Sequence, residues 1–65
     1  MPIGRVTEIT ATSPRGIEAA LREGLRRASR TLRGITAAEV TGIRVAVEQG
    51  RIREYRVTLK ITFIP

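Results

Sequence analysis

The second half of the chain alternates between apolar and polar side chains. In the segment 51–64 every second residue from Tyr55 onward is apolar: Tyr55, Val57, Leu59, Ile61 and Phe63. In the segment 35–47 the same alternation includes Ile43, Val45 and Val47. A period of two is typical of a β-strand with one buried face. We therefore predict two strands whose other face carries Gly42, Arg44, Arg56, Thr58, Lys60 and Thr62.

The connection between these two strands should fix their register. Residues that pair across a hairpin share a face, so the odd-numbered apolar residues must pair with each other, which excludes a loop of even length. We predict a three-residue loop, 48–50, with Gly50 in the left-handed conformation. This register places Ile43 opposite Tyr55, Thr41 opposite Val57, Arg44 opposite Glu54, and Gly42 opposite Arg56.

The first half of the chain predicts a strand followed by a helix. Residues 3–10 are rich in β-branched side chains. Ser13 and Pro14 are suited to begin a helix, which we expect to run to about Arg33, with Gly34 ending it. Apolar residues recur at helical spacing along one stripe: Ile17, Leu21, Leu25, Ala28 and Leu32, with Gly24 beside Leu25. On the polar faces, Glu18 and Glu23 each precede an arginine by four residues.

These elements predict an α+β protein of order β-α-β-β. A three-stranded antiparallel sheet packs on one helix, and residues 1–65 form a single domain. Such a small chain buries a thin core, and with no Cys and no His it has neither a disulfide nor a zinc site to reinforce it. We therefore expect the chain to associate with copies of itself.

The composition also limits the chemistry. The absence of His and Cys excludes thiol catalysis, His-based acid–base chemistry and the metal sites that these residues form, and the six Glu, without any Asp, supply a carboxylate cage poorly. We predict a protein that is not an enzyme, with no catalytic residues and no metal. No apolar run is long enough to cross a membrane, and the N-terminus lacks the apolar stretch of a signal peptide, so a cytoplasmic protein without a membrane partner is expected. The net charge of +6 raises the question of nucleic acid, but no aromatic residues lie among the helical arginines, and we do not expect that partner.

Four stretches of the sequence together resemble the dodecins. They are Arg5 to Ile9 with Thr12-Ser13, Ala28 to Arg33, Glu39-Val40 with Ile43-Arg44, and Arg53 to Val57 followed by Phe63. The resemblance implies a hollow homododecamer that binds flavin where the outer sheet faces of two subunits meet.

The resemblance also suggests four binding positions. Ala37 occupies the position of a Trp that stacks on the flavin ring in the family pattern. Arg56 replaces a Gln that bonds the ring edge, and Gly42 replaces a position that is often acidic. Arg44 resembles a pocket residue of some flavin-binding members.

These replacements lead to two hypotheses. In the first, the protein binds and stores a small molecule at the sheet-face dyads, with ordinary flavin binding weakened. Arg44 and Arg56 then favour anionic ligands, so FMN or coenzyme A should bind better than riboflavin. In the second, the protein is a structural dodecameric cage without flavin, and Arg44 pairs with Glu54 while Arg56 lies over Gly42.

Overall fold

The computed structural model describes residues 3–65, and it contains one helix and three strands. In chain order they are β1 (Arg5–Ser13), α1 (Ile17–Thr31), β2 (Ile35–Glu48) and β3 (Arg51–Phe63). The strands form one antiparallel sheet in the order β1-β3-β2, so β3 is central. The predicted fold class is confirmed. Met1 and Pro2, which the predicted domain includes, lie outside the described residues.

The core lies between α1 and the sheet. Val57, Leu59 and Ile61 of β3 are fully buried, as the alternation predicts. The helix contributes its predicted stripe, and its most buried positions are the small residues Ala20, Gly24 and Ala28. Small residues allow a close approach: a Cβ added to Gly24 would lie 2.8 Å from the Cβ of Ala11 on β1. The helix therefore packs closely on β1 and β3.

Strand β2 extends beyond the helix. Its apolar residues Ile43, Val45 and Val47 share the helix-side face of the sheet but are 54%, 42% and 62% exposed. The molecule is accordingly elongated, with extents of 52 × 19 × 13 Å. An apolar face left open by the chain's own helix is typical of a surface that another protein covers.

The predicted hairpin loop is wrong, and the predicted pairing of odd with odd holds for Ile43 with Val57 and Val45 with Tyr55 but not for Val47, which pairs with Ile52. Glu48 pairs with Arg51, so the turn consists of Gln49 and Gly50 alone, both with positive φ (52° and 75°). This is the backbone that a two-residue hairpin turn favours. A register shift between Ala46 and Val47 then leaves Arg53 without a partner on β2. Beyond this shift an odd-numbered residue again lies opposite an odd-numbered one, as Val45 does opposite Tyr55. A bulge inserts one residue on one strand only, so a loop of even length is compatible with pairing of odd with odd beyond the bulge.

Because of that shift, the four predicted cross-strand pairs are also wrong. Ile43 lies opposite Val57 and Gly42 opposite Thr58, while Arg44 lies opposite Arg56. Thr41 is left without a partner by a second register shift, between Val40 and Gly42.

The predicted helix ends are wrong as well. Ser13 remains in β1 opposite Tyr55, where it is buried, and its Oγ accepts a hydrogen bond of 3.1 Å from the Arg15 N–H. The hydroxyl therefore closes a turn, and the helix begins after Gly16. At the other end the helix stops at Thr31. Gly34 does have the predicted positive φ, 70°, but its role is to let the backbone of Ile64 pass closely, and its carbonyl accepts the Ile64 N–H at 2.9 Å.

Candidate functional site

The face of the sheet turned away from the helix contains a depression of about 490 Å³. All three strands contribute to its lining, because β3 lies between the other two. The lining residues are Glu8, Thr10, Thr41, Gly42, Arg44, Arg56 and Thr58. This volume is within the range of sites that hold small molecules, roughly 300–1,000 Å³.

The middle of the depression is lined by hydroxyl groups and a glycine. Thr10 and Thr58 lie opposite each other, with their Oγ1 atoms 3.4 Å apart. Thr41 turns its hydroxyl to the Thr58 carbonyl at 3.3 Å. A Cβ added to Gly42 would come no closer than 3.9 Å to Thr58, so glycine is not required by packing here. What Gly42 provides is open space above the sheet.

One end of the depression carries two cations directly opposite each other. Arg44 and Arg56 form a cross-strand pair, an arrangement that is destabilising for like charges. Arg56 is partly neutralised, since its Nε donates a 2.8 Å hydrogen bond to Glu54. Within residues 3–65, Arg44 makes no ion pair. Arg44 is therefore the arginine of the site whose charge no neighbouring carboxylate neutralises.

This arrangement reverses the predicted pairing of the two arginines. The sequence placed Glu54 opposite Arg44, but Glu54 lies opposite Ala46 and bonds Arg56, two residues along the same strand and on the same face. The error follows from the register, which the sequence placed without the bulge. Arg44, Arg56 and Gly42 do share one face of the sheet, as predicted, and all three line the depression.

Ala37 does not join the other three predicted positions. It lies on the same face of the sheet, opposite Thr62, but outside the lining of the depression. Its partner on β3, Thr62, lies four residues from Thr58, the partner of Gly42, about 13 Å of extended strand. Within a single chain, Ala37 and Arg44 therefore belong to different parts of the outer face.

Glu8, Thr10 and Thr41 line the depression but were not predicted from the sequence. Glu8 and Thr10 alternate with the partly buried Ile9, and that alternation was the available signal that both face away from the helix. Placing them beside Arg56 also required the strand order, which alternation does not give. Thr41 enters the site through the register shift, for which the sequence carries no clear signal.

The lining contains no aromatic side chain. The chain has one Tyr and one Phe. Tyr55 lies opposite Val45 and Ser13, and Phe63 opposite Ile35 and Arg5, all on the helix side of the sheet. Any flat ring bound in the depression would have to stack on arginine guanidinium groups or on a ring from elsewhere.

A second depression, of about 430 Å³, lies between α1 and the edge of β1. Its charged residues are Glu23 and Arg27, which bond each other at 3.0 Å. Hydrogen bonds from Arg26 and then Arg27 hold the pKa of Glu23 below its ordinary value of 4.5. Glu23 thus compensates charge at this site, and the outer face is the better candidate for binding a charged ligand.

No group of three or more metal-ligating side chains converges within residues 3–65. In the same range, no helix combines the length and apolar character needed to span a membrane.

A single helix on a three-stranded antiparallel sheet, in the order β-α-β-β, defines the class of small α+β protein to which this chain belongs. The family model described as Dodecin matches residues 3–64, and the chain belongs to the dodecin family.

Individual relatives agree with this assignment. The dodecin of Thermus thermophilus is 39% identical over 56 residues, which cover 86% of this chain and 81% of the relative. The structure of dodecin from Streptomyces coelicolor is 41% identical with a TM-score of 0.94, covering 98% of this chain and 91% of that one. A Thermus thermophilus dodecin variant with a tryptophan replaced by phenylalanine is 35% identical with a TM-score of 0.91, covering 97% and 94%. The Thermus thermophilus dodecin from which this variant was made therefore has a tryptophan, whereas the present chain has none.

Proposed function

We propose that this protein is a non-enzymatic binding and storage protein, which assembles as a homododecamer and holds an anionic small molecule between the outer sheet faces of two copies. The observation that carries the proposal is the Arg44–Arg56 pair at one end of the depression. Two like charges placed directly opposite each other are costly to the folded chain unless an anion is shared between them.

Assembly is supported by the surface that the helix leaves open. The apolar side chains of Ile43, Val45 and Val47 are exposed on the helix side of β2, next to the exposed Ile52 of β3. A chain of 65 residues gains only a thin core of its own, so burying this surface against other copies adds the stability that one chain lacks.

The class of ligand is inferred from the positive charge of Arg44 and from the absence of an aromatic side chain in the lining of the depression. FMN and coenzyme A carry phosphate groups that a guanidinium binds in a forked geometry. Riboflavin has no phosphate and would depend on ring contacts. An aromatic stack contributes about 0.5–1.5 kcal/mol beyond the buried area, and the lining of this depression supplies none. FMN should therefore be held chiefly by its phosphate at Arg44.

A structural cage without a ligand is the second candidate, and one observation favours it. The 2.8 Å hydrogen bond from Arg56 to Glu54 gives one of the two arginines a partner within the chain. Glu8 also places a carboxylate in the lining. In this case the depression would serve only the packing of one copy on another.

Fluorescence titrations of FMN and riboflavin test these candidates. At low salt we expect FMN to bind about tenfold more tightly than riboflavin, because one charge-assisted contact contributes about 1.5 kcal/mol. High salt should reduce this preference if the phosphate contact is solvent-exposed. The variant Arg44→Ala should abolish the preference, whereas Arg30→Ala, which removes one equally exposed positive charge from α1, should retain it. Equal affinities for FMN and riboflavin at low salt would refute the role of Arg44, and no quenching of either would favour the cage.

A further inference from the structure

The charges of the outer sheet face lie in separate rows that cross the strands. One row contains two carboxylates and a lysine: Glu8, Lys60 and Glu39. The basic row contains Thr12, Arg56 and Arg44. Between them lies a row of small side chains, formed by Thr10, Thr58 and Gly42. The acidic row has a net charge of −1, and the basic row has two positive charges, of which Glu54 neutralises one.

The two rows are too far apart to neutralise each other within one chain. Four residues of β3 separate Lys60 from Arg56, about 13 Å of extended strand. Consistent with this separation, Glu8, Glu39 and Arg44 make no ion pair within residues 3–65. Both rows therefore present charge that a partner of opposite pattern would complement.

We infer that the partner is a second copy of this chain packed face to face, and that Arg44 pairs with Glu39 of that copy. The two-fold axis lies along the middle row, at right angles to the strands. Rotation about this axis reverses the strand direction, so the acidic row of each copy covers the basic row of the other. Each strand stays over the same strand of its partner, and on β2 this brings Glu39 of one copy over Arg44 of the other.

The charge pattern distinguishes this arrangement from its alternative. A two-fold axis parallel to the strands would place acidic row on acidic row and basic row on basic row, which is repulsive at both ends. The axis along the middle row brings Glu39 and Arg44 together twice, and the like charge that it places on β3, Lys60 over Arg56, is offset by Glu54. The middle row carries no charge and therefore adds no repulsion along the axis, and the space above Gly42 is left for the ligand.

This inference rests on the proposed function, and it adds a carboxylate that competes with the anionic ligand for Arg44. If Arg44 is bound by Glu39 of the second copy, then an anionic ligand must displace that carboxylate to reach the guanidinium. Glu39 then sets two properties in opposite directions: it stabilises the face-to-face contact and it weakens the binding of anions.

The test compares Glu39→Gln with Glu18→Gln. Both substitutions remove one exposed negative charge per chain, but Glu18 lies on α1 and pairs with Arg22 of its own helix. For Glu39→Gln we expect FMN to bind about tenfold more tightly at low salt, and the assembly to dissociate at a lower denaturant or higher salt concentration. For Glu18→Gln we expect less than a twofold change in FMN affinity and no change in dissociation.

Charge reversal provides a second measurement that does not depend on a ligand. Glu39→Arg and Arg44→Glu should each weaken the assembly, as measured by light scattering across a dilution series, and the double variant should recover it. If FMN does not bind at all, the dissociation of these charge variants still shows whether Glu39 of one copy pairs with Arg44 of the other. Equal behaviour of Glu39→Gln and Glu18→Gln, or a double variant no better than the worse single variant, would overturn the inference.

Discussion

Replacing Gly24 with alanine measures how closely the helix packs on β1. The added Cβ would lie 2.8 Å from the Cβ of Ala11, about 1 Å inside the usual contact distance between two carbon atoms. Neither methyl group can rotate away, because each is fixed directly to its backbone. Ala11 is also held in register opposite the fully buried Val57. The helix or the strand must therefore shift.

Two opposing effects determine the magnitude for Gly24→Ala. Alanine in place of glycine inside a helix contributes about 1 kcal/mol of stability. Overpacking a buried site costs about 1–3 kcal/mol. Since both methyl groups are fixed, we expect a cost at the upper end of that range and a net loss of about 1–2 kcal/mol.

Urea unfolding at one fixed chain concentration is the appropriate assay for Gly24→Ala, because association contributes to the stability of an assembled protein. The added variant Ala11→Gly removes the opposing methyl group, so the double variant should recover much of the loss. If Gly24→Ala instead stabilised the protein by about 1 kcal/mol, as at an uncrowded helical position, the close approach of α1 and β1 would be refuted.

Two further predictions concern the ligand and pH. Ala37→Trp combined with Arg56→Gln restores the ring-binding residues of the family pattern. We expect this double variant to bind flavin at least about tenfold more tightly in fluorescence titrations, a gain of about 1.4 kcal/mol in binding free energy. Unchanged affinity would mean that the binding faces differ in shape from those of flavin-binding relatives. The lowered pKa of Glu23 means that its ion pairs stabilise the folded state above the unfolded pKa near 4.5, and that this contribution is lost as the pH falls through the lowered value. Thermal melting of Glu23→Gln should therefore depend less on acid pH than melting of the wild-type protein, and parallel profiles would contradict the role of Arg26 and Arg27.

The sequence was sufficient for the type of each element but not for its ends. Alternation in 51–64 correctly identified Val57, Leu59 and Ile61 as residues on the buried face of β3, because α1 covers this part of the strand. The start of the helix was misjudged, since Ser13 has the same hydroxyl whether it caps a helix or, as here, closes a turn at a strand end. Local preference could not choose between these two roles, and the pairing of Ser13 with Tyr55 decided the outcome.

In the candidate site, too, the sequence predicted which face the residues occupy but not which residues lie opposite each other. Parity placed Arg44 and Arg56 on one face, and that prediction is confirmed. Their position directly opposite each other depends on the register shift at Arg53. A bulge changes which residues are opposite each other without changing which face they occupy, so alternation alone cannot detect it. The charge balance of the site, with Glu54 on Arg56 and none on Arg44, followed only from the structure.

Native mass spectrometry of the protein with FMN tests the central claim most directly, because one spectrum reports both the number of chains and the number of ligands. The account predicts a particle of twelve chains that takes up as many as one FMN for each chain, since every chain contributes one depression to a paired face. Loading should fall sharply in Arg44→Ala while the particle remains intact. A particle of twelve chains that takes up no FMN would contradict the storage function, and a folded monomer under these conditions would contradict the account of the assembly.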